Sequence, residues 1–326
     1  MSVIPPSNPL RESQPHVAPS ATDVLPPGTK IDELFERNMT EPYVLQRLSP
    51  RVWWVSVTNY TTVFLVGEES VLLFDAPLKR YDGVVSAVSA VTDKPISTIV
   101  YSHFHTDHLD DIDRYVQAAQ DEGRTLRLVA SEQTDAKLAA ARSILPRPTQ
   151  TVSWPNGSFD FEGSRVELHG FEWAAHTEDH AAWLLPSERV VHVPDLISPD
   201  QPPFWRFAAN ERFLFTRDNL DAVDKLEWDH LSGGHGNVGD HGDLAAEQEF
   251  IAELLAVCEN EVSRNPLEAY VDPELGSHTA WFAKFLETTS AQAADKLREK
   301  YGHMYGFESS IRANAEAVTL HLVQYH

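Results

Sequence analysis

Apolar residues come first in short β-rich runs and later at helical spacing. From Arg51 the runs RVWWVSV, TTVFLVG and SVLLFDA, each bounded by turn formers, predict three strands. A helix is expected near Asp82 to Ala90, and ISTIVYS (Ile96 to Ser102) reads as a buried strand. Leu109, Ile112, Tyr115, Val116 and Ala119 then keep helical spacing. LRLVA predicts the next strand, TDAKLAAARSI a helix, and residues around Val166 to Phe171 further strands. AAWLLP and RVVHV, separated by a turn at Ser187 and Glu188, read as a hairpin, and a short strand follows around Trp228 to Leu231. This α/β (α+β) alternation suits two layers of sheet covered by helices. Beyond Gly242 the pattern becomes helical. Phe250, Ile251, Leu254, Leu255, Cys258 and Val262 form one stripe, Trp281, Phe282 and Phe285 head a second helix, and Ser309 to Val323 a third.

The first thirty residues hold seven prolines and no continuous apolar core, so they read as an extended, poorly ordered arm rather than a signal peptide or membrane span. The expected division is therefore an arm over 1–30, an α/β domain over 31–243 and a helical C-terminal extension over 244–326. The extension is expected to pack on the domain and to support a homodimer.

A formal net charge of −23 argues against nucleic acid or an anionic membrane as partner, since both would repel the chain. A small-molecule substrate and a cytoplasmic location are the expectations that remain. The single cysteine, Cys258, excludes an intrachain disulfide and falls on an apolar helix face, where it reads as core.

Candidate chemistry concentrates in YSHFHTDHLD (101–110), where His103, His105, Asp107 and His108 share a strand-to-helix loop. Imidazole and carboxylate are the donors that borderline divalent metals prefer. Three residues downstream can complete such a site: His176 at the hairpin's entrance, Asp195 at its exit, and His235 in the Gly-rich loop SGGHGNVG. Glycines there permit positive φ and close backbone approach to a metal.

This order, H-x-H-x-D-H, then His, Asp and His, resembles the metallo-β-lactamase superfamily over roughly Arg51 to Gly242. The resemblance implies a four-layer αββα sandwich with the site along one edge. It further implies one metal on His103, His105 and His176, a second on Asp107, His108 and His235, and Asp195 bridging both. Two divalent ions, Zn2+ foremost, would hold a bridging hydroxide that attacks the carbonyl of an ester or lactone, with Asp107 and Asp195 as catalytic residues. Asp75, in FDAP, would orient a ligand histidine from behind, and His180 would stand beside the site. Asp195 where some β-lactamases have Cys, and Ser198 where they have Lys, make antibiotic hydrolysis the less expected activity. Pro194 and Ala175 also replace usual glycines. A thioester or β-lactam hydrolase on the same centre is the alternative enzyme. A mononuclear iron enzyme like the persulfide dioxygenases, or a non-catalytic metal-binding protein, fits less well because both ligand sets are complete.

The aromatic segment Pro199 to Phe215 leaves Asp195 directly. Phe204 and Trp205 are candidates for an apolar cleft wall, and the same residues equally suit an anchor that fixes a long loop to the core. His192 is expected to be packed and His241 to face solvent.

Overall fold

The computed structural model describes residues 14–325. It opens with β1 (His16–Val17) and β2 (Lys30–Ile31), paired in parallel, and α1 (Leu34–Thr40). A seven-stranded sheet follows: β3 (Val44–Arg47), β4 (Val52–Val57), β5 (Tyr60–Val66), β6 (Val71–Phe74), β7 (Ile96–Val100), β8 (Arg127–Ser131) and β9 (Gln150–Val152), hydrogen-bonded in that order. β3 to β6 run antiparallel through short turns. From β6 to β9 the strands are parallel, which requires crossovers. These are supplied by α2 (Tyr81–Ser89), α3 (Thr106–Leu109), α4 (Ile112–Asp121) and α5 (Glu132–Ala140). The second sheet is β10 (Asn156–Phe161), β11 (Ser164–Gly170), β12 (Ala181–Leu185), β13 (Val190–His192) and β14 (His230–Ser232). Between β13 and β14 lie α6 (Trp205–Ala209), a single turn, and α7 (Thr216–Asp224); α8 (His241–Arg264), α9 (His278–Tyr301) and α10 (Phe307–Tyr325) follow.

Three apolar clusters separate four layers. Leu72, Phe74, Val100 and Val129 meet Phe159, Val166, Trp183 and Val190 between the sheets. Leu73, Ile99 and Leu128 face α2, α4 and α5 through Val84, Ile112 and Leu138. Leu184, Val191 and Leu231 carry the helical layer of Leu220, Phe250, Leu254, Ala293 and Ile311. The αββα sandwich is therefore formed, and its last layer is built largely from the C-terminal helices. The stripe on α8 buries Phe250, Ile251, Leu254 and Cys258, as its spacing predicts. No helix among the described residues is long and apolar enough to cross a membrane.

The arm departs from its expectation. Residues 1–13 lie outside the described residues, but from Gln14 the chain is tied down. Lys30 N donates to Pro15 O at 2.9 Å and Leu25 N to Arg47 O at 2.9 Å, and Lys30 is fully buried. Prolines are compatible with such extended edge segments because their carbonyls still accept, so their abundance alone did not mark disorder. Sequence patterning also missed β10, whose alternating NGSFDF buries only Phe159 and Phe161.

Candidate metal centre

All seven expected ligands come from loops at one edge of the two sheets. β7 ends at Val100, and the loop to α3 carries His103 and His105; Asp107 and His108 sit on α3 itself. His176 precedes β12, Asp195 follows β13, and His235 follows β14. Asp195 sits at φ 65° and Asp75 at φ 56°, a left-handed conformation that aspartate tolerates better than most side chains.

Two donor sets meet at Asp195. His176 Nε2 lies 3.2 Å from His103 Nε2 and 3.0 Å from His105 Nδ1. Asp195 Oδ2 stands 3.3 Å from His176 Nε2 and 3.5 Å from His103 Nε2. On the other side the same oxygen is 3.0 Å from His108 Nε2, and Asp195 Oδ1 is 3.4 Å from His235 Nε2. Asp107 Oδ2 reaches within 3.5 Å of His108 Nε2. Each set of four offers one donor atom per residue, all within 4.8 Å of one another.

These distances suit cations better than hydrogen bonds. Donors around a tetrahedral zinc ion at ~2.1 Å stand about 3.4 Å apart, close to the spacings found. Burial pushes His103 well below its ordinary range and His105 down to about 4, with neighbouring imidazoles adding to the effect. Neutral rings are the ligand form, and three ring nitrogens crowded against one carboxylate cannot all be satisfied by shared protons. Burial would raise the Asp195 carboxyl, but His108 and His176 hold it far below the usual range, so it stays ionised.

Two of the far nitrogens have a partner behind them, the arrangement that orients ligand histidines. His235 Nδ1 donates to Asn59 O at 3.0 Å, and His103 Nδ1 stands 3.0 Å from Ser102 Oγ. Asp75 Oδ2 is 3.5 Å from His108 Nδ1, too long for a good hydrogen bond, and 3.1 Å from His192 Nε2. Asp75 Oδ1 accepts from Ser102 N at 2.8 Å. Burial opposes ionisation of Asp75, yet His108 and His192 bring it down to about 2. His192 is thus packed, as expected, but in polar contact. His180 belongs to neither donor set; its Nε2 donates to Pro194 O at 2.6 Å, fixing the residue before Asp195. His241 is exposed on one side and stacks on Trp228 at 3.8 Å.

Phe204 and Trp205 part company. The Phe204 ring lies parallel to His235 with centroids 6.3 Å apart. Trp205 instead borders a groove between α9 and α10 with Ala283, Leu286 and Arg312. Sequence reasoning missed Tyr60, whose ring is 4.8 Å from His235 and 6.3 Å from His108. Only its place at the start of β5, just after the β4–β5 turn, brings it there, and nothing local signals that.

Comparison with known proteins agrees with this geometry. A metallo-beta-lactamase from Pontibacter korlensis superposes with a TM-score of 0.52 at 18% identity, covering 64% of this chain and 97% of that one. The metallo-beta-lactamase IND-7 does so with a TM-score of 0.54 at 15% identity, covering 64% and 98%. At such identity they show the fold alone. A curated relative, the 2,4-dinitroanisole O-demethylase subunit beta of Nocardioides sp. (strain JS1661), is 20% identical over 284 residues, 81% of this chain and 76% of its own. The family model of the metallo-beta-lactamase superfamily matches residues 56–254, more than half of the chain and every loop that bears a candidate ligand. The chain belongs to the metallo-beta-lactamase superfamily.

Proposed function

We propose that the chain is a dinuclear metal-dependent hydrolase acting on an ester or lactone of a small, apolar substrate. The observation that carries this reading is the pair of complete donor sets sharing Asp195. Two divalent cations bound there, Zn2+ foremost, supply a water acidified to a pKa of about 7 and an electrophile for the substrate oxygen. His103, His105 and His176 hold one position, Asp107, His108 and His235 the other, and Asp195 serves both. Asp107 is the most exposed of the carboxylates, so it can carry a proton to the leaving group. Phe204 gives the cleft an apolar side. Completeness of the second set weighs against a mononuclear iron oxygenase and against a binding protein that has lost its ligands.

A second reading has a specific motive. The Nocardioides relative is by name an O-demethylase subunit, and a metal-activated hydroxide at such a centre can also attack the ring carbon of an activated aryl methyl ether and expel methoxide, which leaves as methanol. Metal quantification on the purified protein, beside lactones, aryl esters, thioesters, cephalosporins and 2,4-dinitroanisole, separates these readings. Two metals per chain with turnover of lactones or esters is the expected result. Turnover of the ether alone would replace the ester reading, and one iron per chain would overturn both. Asp107→Ala should cost at least ~100-fold in kcat on an unactivated ester and less on a nitrophenyl ester, whose leaving group needs no proton. Equal losses on both would remove the proton-carrying role.

A further inference from the structure

The loop that carries His235 is built largely of glycine: Gly233, Gly234, Gly236 and Gly239 are four of the seven residues in 233–239. Gly234 and Gly236 both sit at φ 77°, and a Cβ at either would come within 2.6 Å of Pro194 Cβ or 2.5 Å of Pro199 O. Glycine loses more freedom on ordering than any other residue. A cation that had to order this loop by itself would therefore bind weakly. Asn237, fully buried, orders the loop instead. Its Oδ1 accepts from Ile31 N at 3.1 Å and from Val238 N at 2.8 Å. Its Nδ2 donates to Ile31 O at 2.9 Å and to Asp200 Oδ2 at 2.7 Å. Both donors and both acceptor sites of the amide are thus used. Asn237 N donates to Pro199 O at 3.1 Å, and Lys30 Nζ to Val238 O at 2.7 Å. One side chain joins the His235 loop to the N-terminal segment and to the chain that leaves Asp195.

Asp200, also buried, begins a strap, residues 196–212, that runs from the loop of Asp195 to that of His176. The far end is fixed where Glu211 N donates to His176 O at 3.1 Å and Arg212 N to Ala175 O at 2.9 Å. At the middle, Arg206, Phe207, Ala208 and Ala209 have φ of 51°, 54°, 55° and 59°. α6 is thus a left-handed turn built without glycine, which persists only where its surroundings impose it. Asn314 of α10 brackets that turn: its Nδ2 donates to Pro203 O at 2.7 Å, and its Oδ1 accepts from Phe207 N at 3.1 Å. Asn237 holds the same strap at its start, beside Asp195. With its amide capacity used, it makes no bond to the loop of His103 and His105. We infer that Asn237 is a positioning residue for the second cation: by tying the His235 loop to residues 30–31 and to Asp200, it keeps His235 in place before the cation binds. The docked N-terminal segment thereby governs occupancy of the second position and leaves the first unaffected. The inference rests on the two-ion reading for its cation, but not for the ordering of the loop.

The test compares full-length wild type with Asn237→Ala, first metal-free and then titrated with Zn2+. Hydrogen exchange reads the loop. Amides 237–239 should be protected in metal-free wild type and exchange at least ~10-fold faster in Asn237→Ala, the equivalent of about one lost hydrogen bond. Amides of β8, remote from Asn237, should not change. Competition with a chromophoric chelator reads the ions. The second Zn2+ should bind ~10–100-fold more weakly in the variant, the range typical of lost support behind a metal ligand, and the first within ~3-fold of wild type. Asn237→Ser, too short to reach both Ile31 and Asp200, takes the place of Asn237→Ala if the latter does not fold. Loop amides that exchange freely in metal-free wild type, equal weakening of both ions, or an unchanged second affinity would overturn the inference. Wild type that binds a single ion would defeat the two-ion reading, and the exchange comparison would still decide whether Asn237 orders the loop.

Discussion

Asp195 concentrates more of the site's electrostatics than any other residue, because both its oxygens face imidazole nitrogens. Asp195→Asn should lower metal content below two per chain and remove most activity, since a neutral amide cannot bridge two cations. Metal analysis with retained two-ion loading and unchanged turnover would refute the bridge. Glu247 on α8 poses a different residue-scale problem. It is almost fully buried, and burial, aided by Asp243, raises its carboxyl to about 8. The native state then holds a proton that the unfolded chain releases above about 4.5, so stability should fall as pH rises from 5 to 8. Glu247→Gln should flatten that fall, by an amount on the order of 1–4 kcal/mol at pH 8. Urea denaturation of both proteins across this range checks it, and parallel pH profiles would contradict the burial argument.

At the scale of elements, the strap after Asp195 shows how adjacent aromatics acquire opposite roles. The left-handed turn sends Phe204 towards His235 and Trp205 towards the groove between α9 and α10. Phe204→Ala should therefore raise KM for bulky apolar substrates several-fold while Trp205→Ala leaves KM nearly unchanged. Steady-state kinetics on a size series of esters compares them, and the reverse ranking would mean that the turn is built differently in solution. The hairpin of β12 and β13 is the opposite case. Its two apolar runs and intervening turn predicted the element, and its two ends place His176 and Asp195 on the same edge.

The N-terminal segment and the C-terminal helices close on the ligand loops from two sides, a property of the whole molecule. Lys30 Nζ donates to Val238 O at 2.7 Å and also pairs with Asp243. Asn237 exchanges hydrogen bonds with Ile31 through Nδ2 to Ile31 O at 2.9 Å and Ile31 N to Oδ1 at 3.1 Å. The loop that carries His235 is thereby fixed by residues 206 and 208 positions earlier. Lys30→Met should destabilise by roughly 3–5 kcal/mol at pH 7, because it strands buried carboxylates. The deficit should shrink towards pH 5, where Asp243, already pushed up to about 6 by burial, takes a proton. Equal deficits at both values would mean that packing rather than charge explains the loss.

The candidate ligands were legible in the sequence because metal chemistry restricts residue type. His103, His105, Asp107, His108, His176, Asp195 and His235 stand out as donors wherever the chain places them, and the strand runs ending at Phe74, Val100 and His192 mark the sheet edge from which they project. Helical spacing likewise revealed α8 to α10. Tyr60, the bracket formed by Asn314, the burial of Lys30 and the divergence of Phe204 from Trp205 were decided by the tertiary structure alone. Each depends on a contact between distant segments, or on a backbone conformation that is unfavourable in isolation and stable only where packing enforces it. Local pattern records what a residue prefers by itself; those positions are set by what another part of the chain imposes.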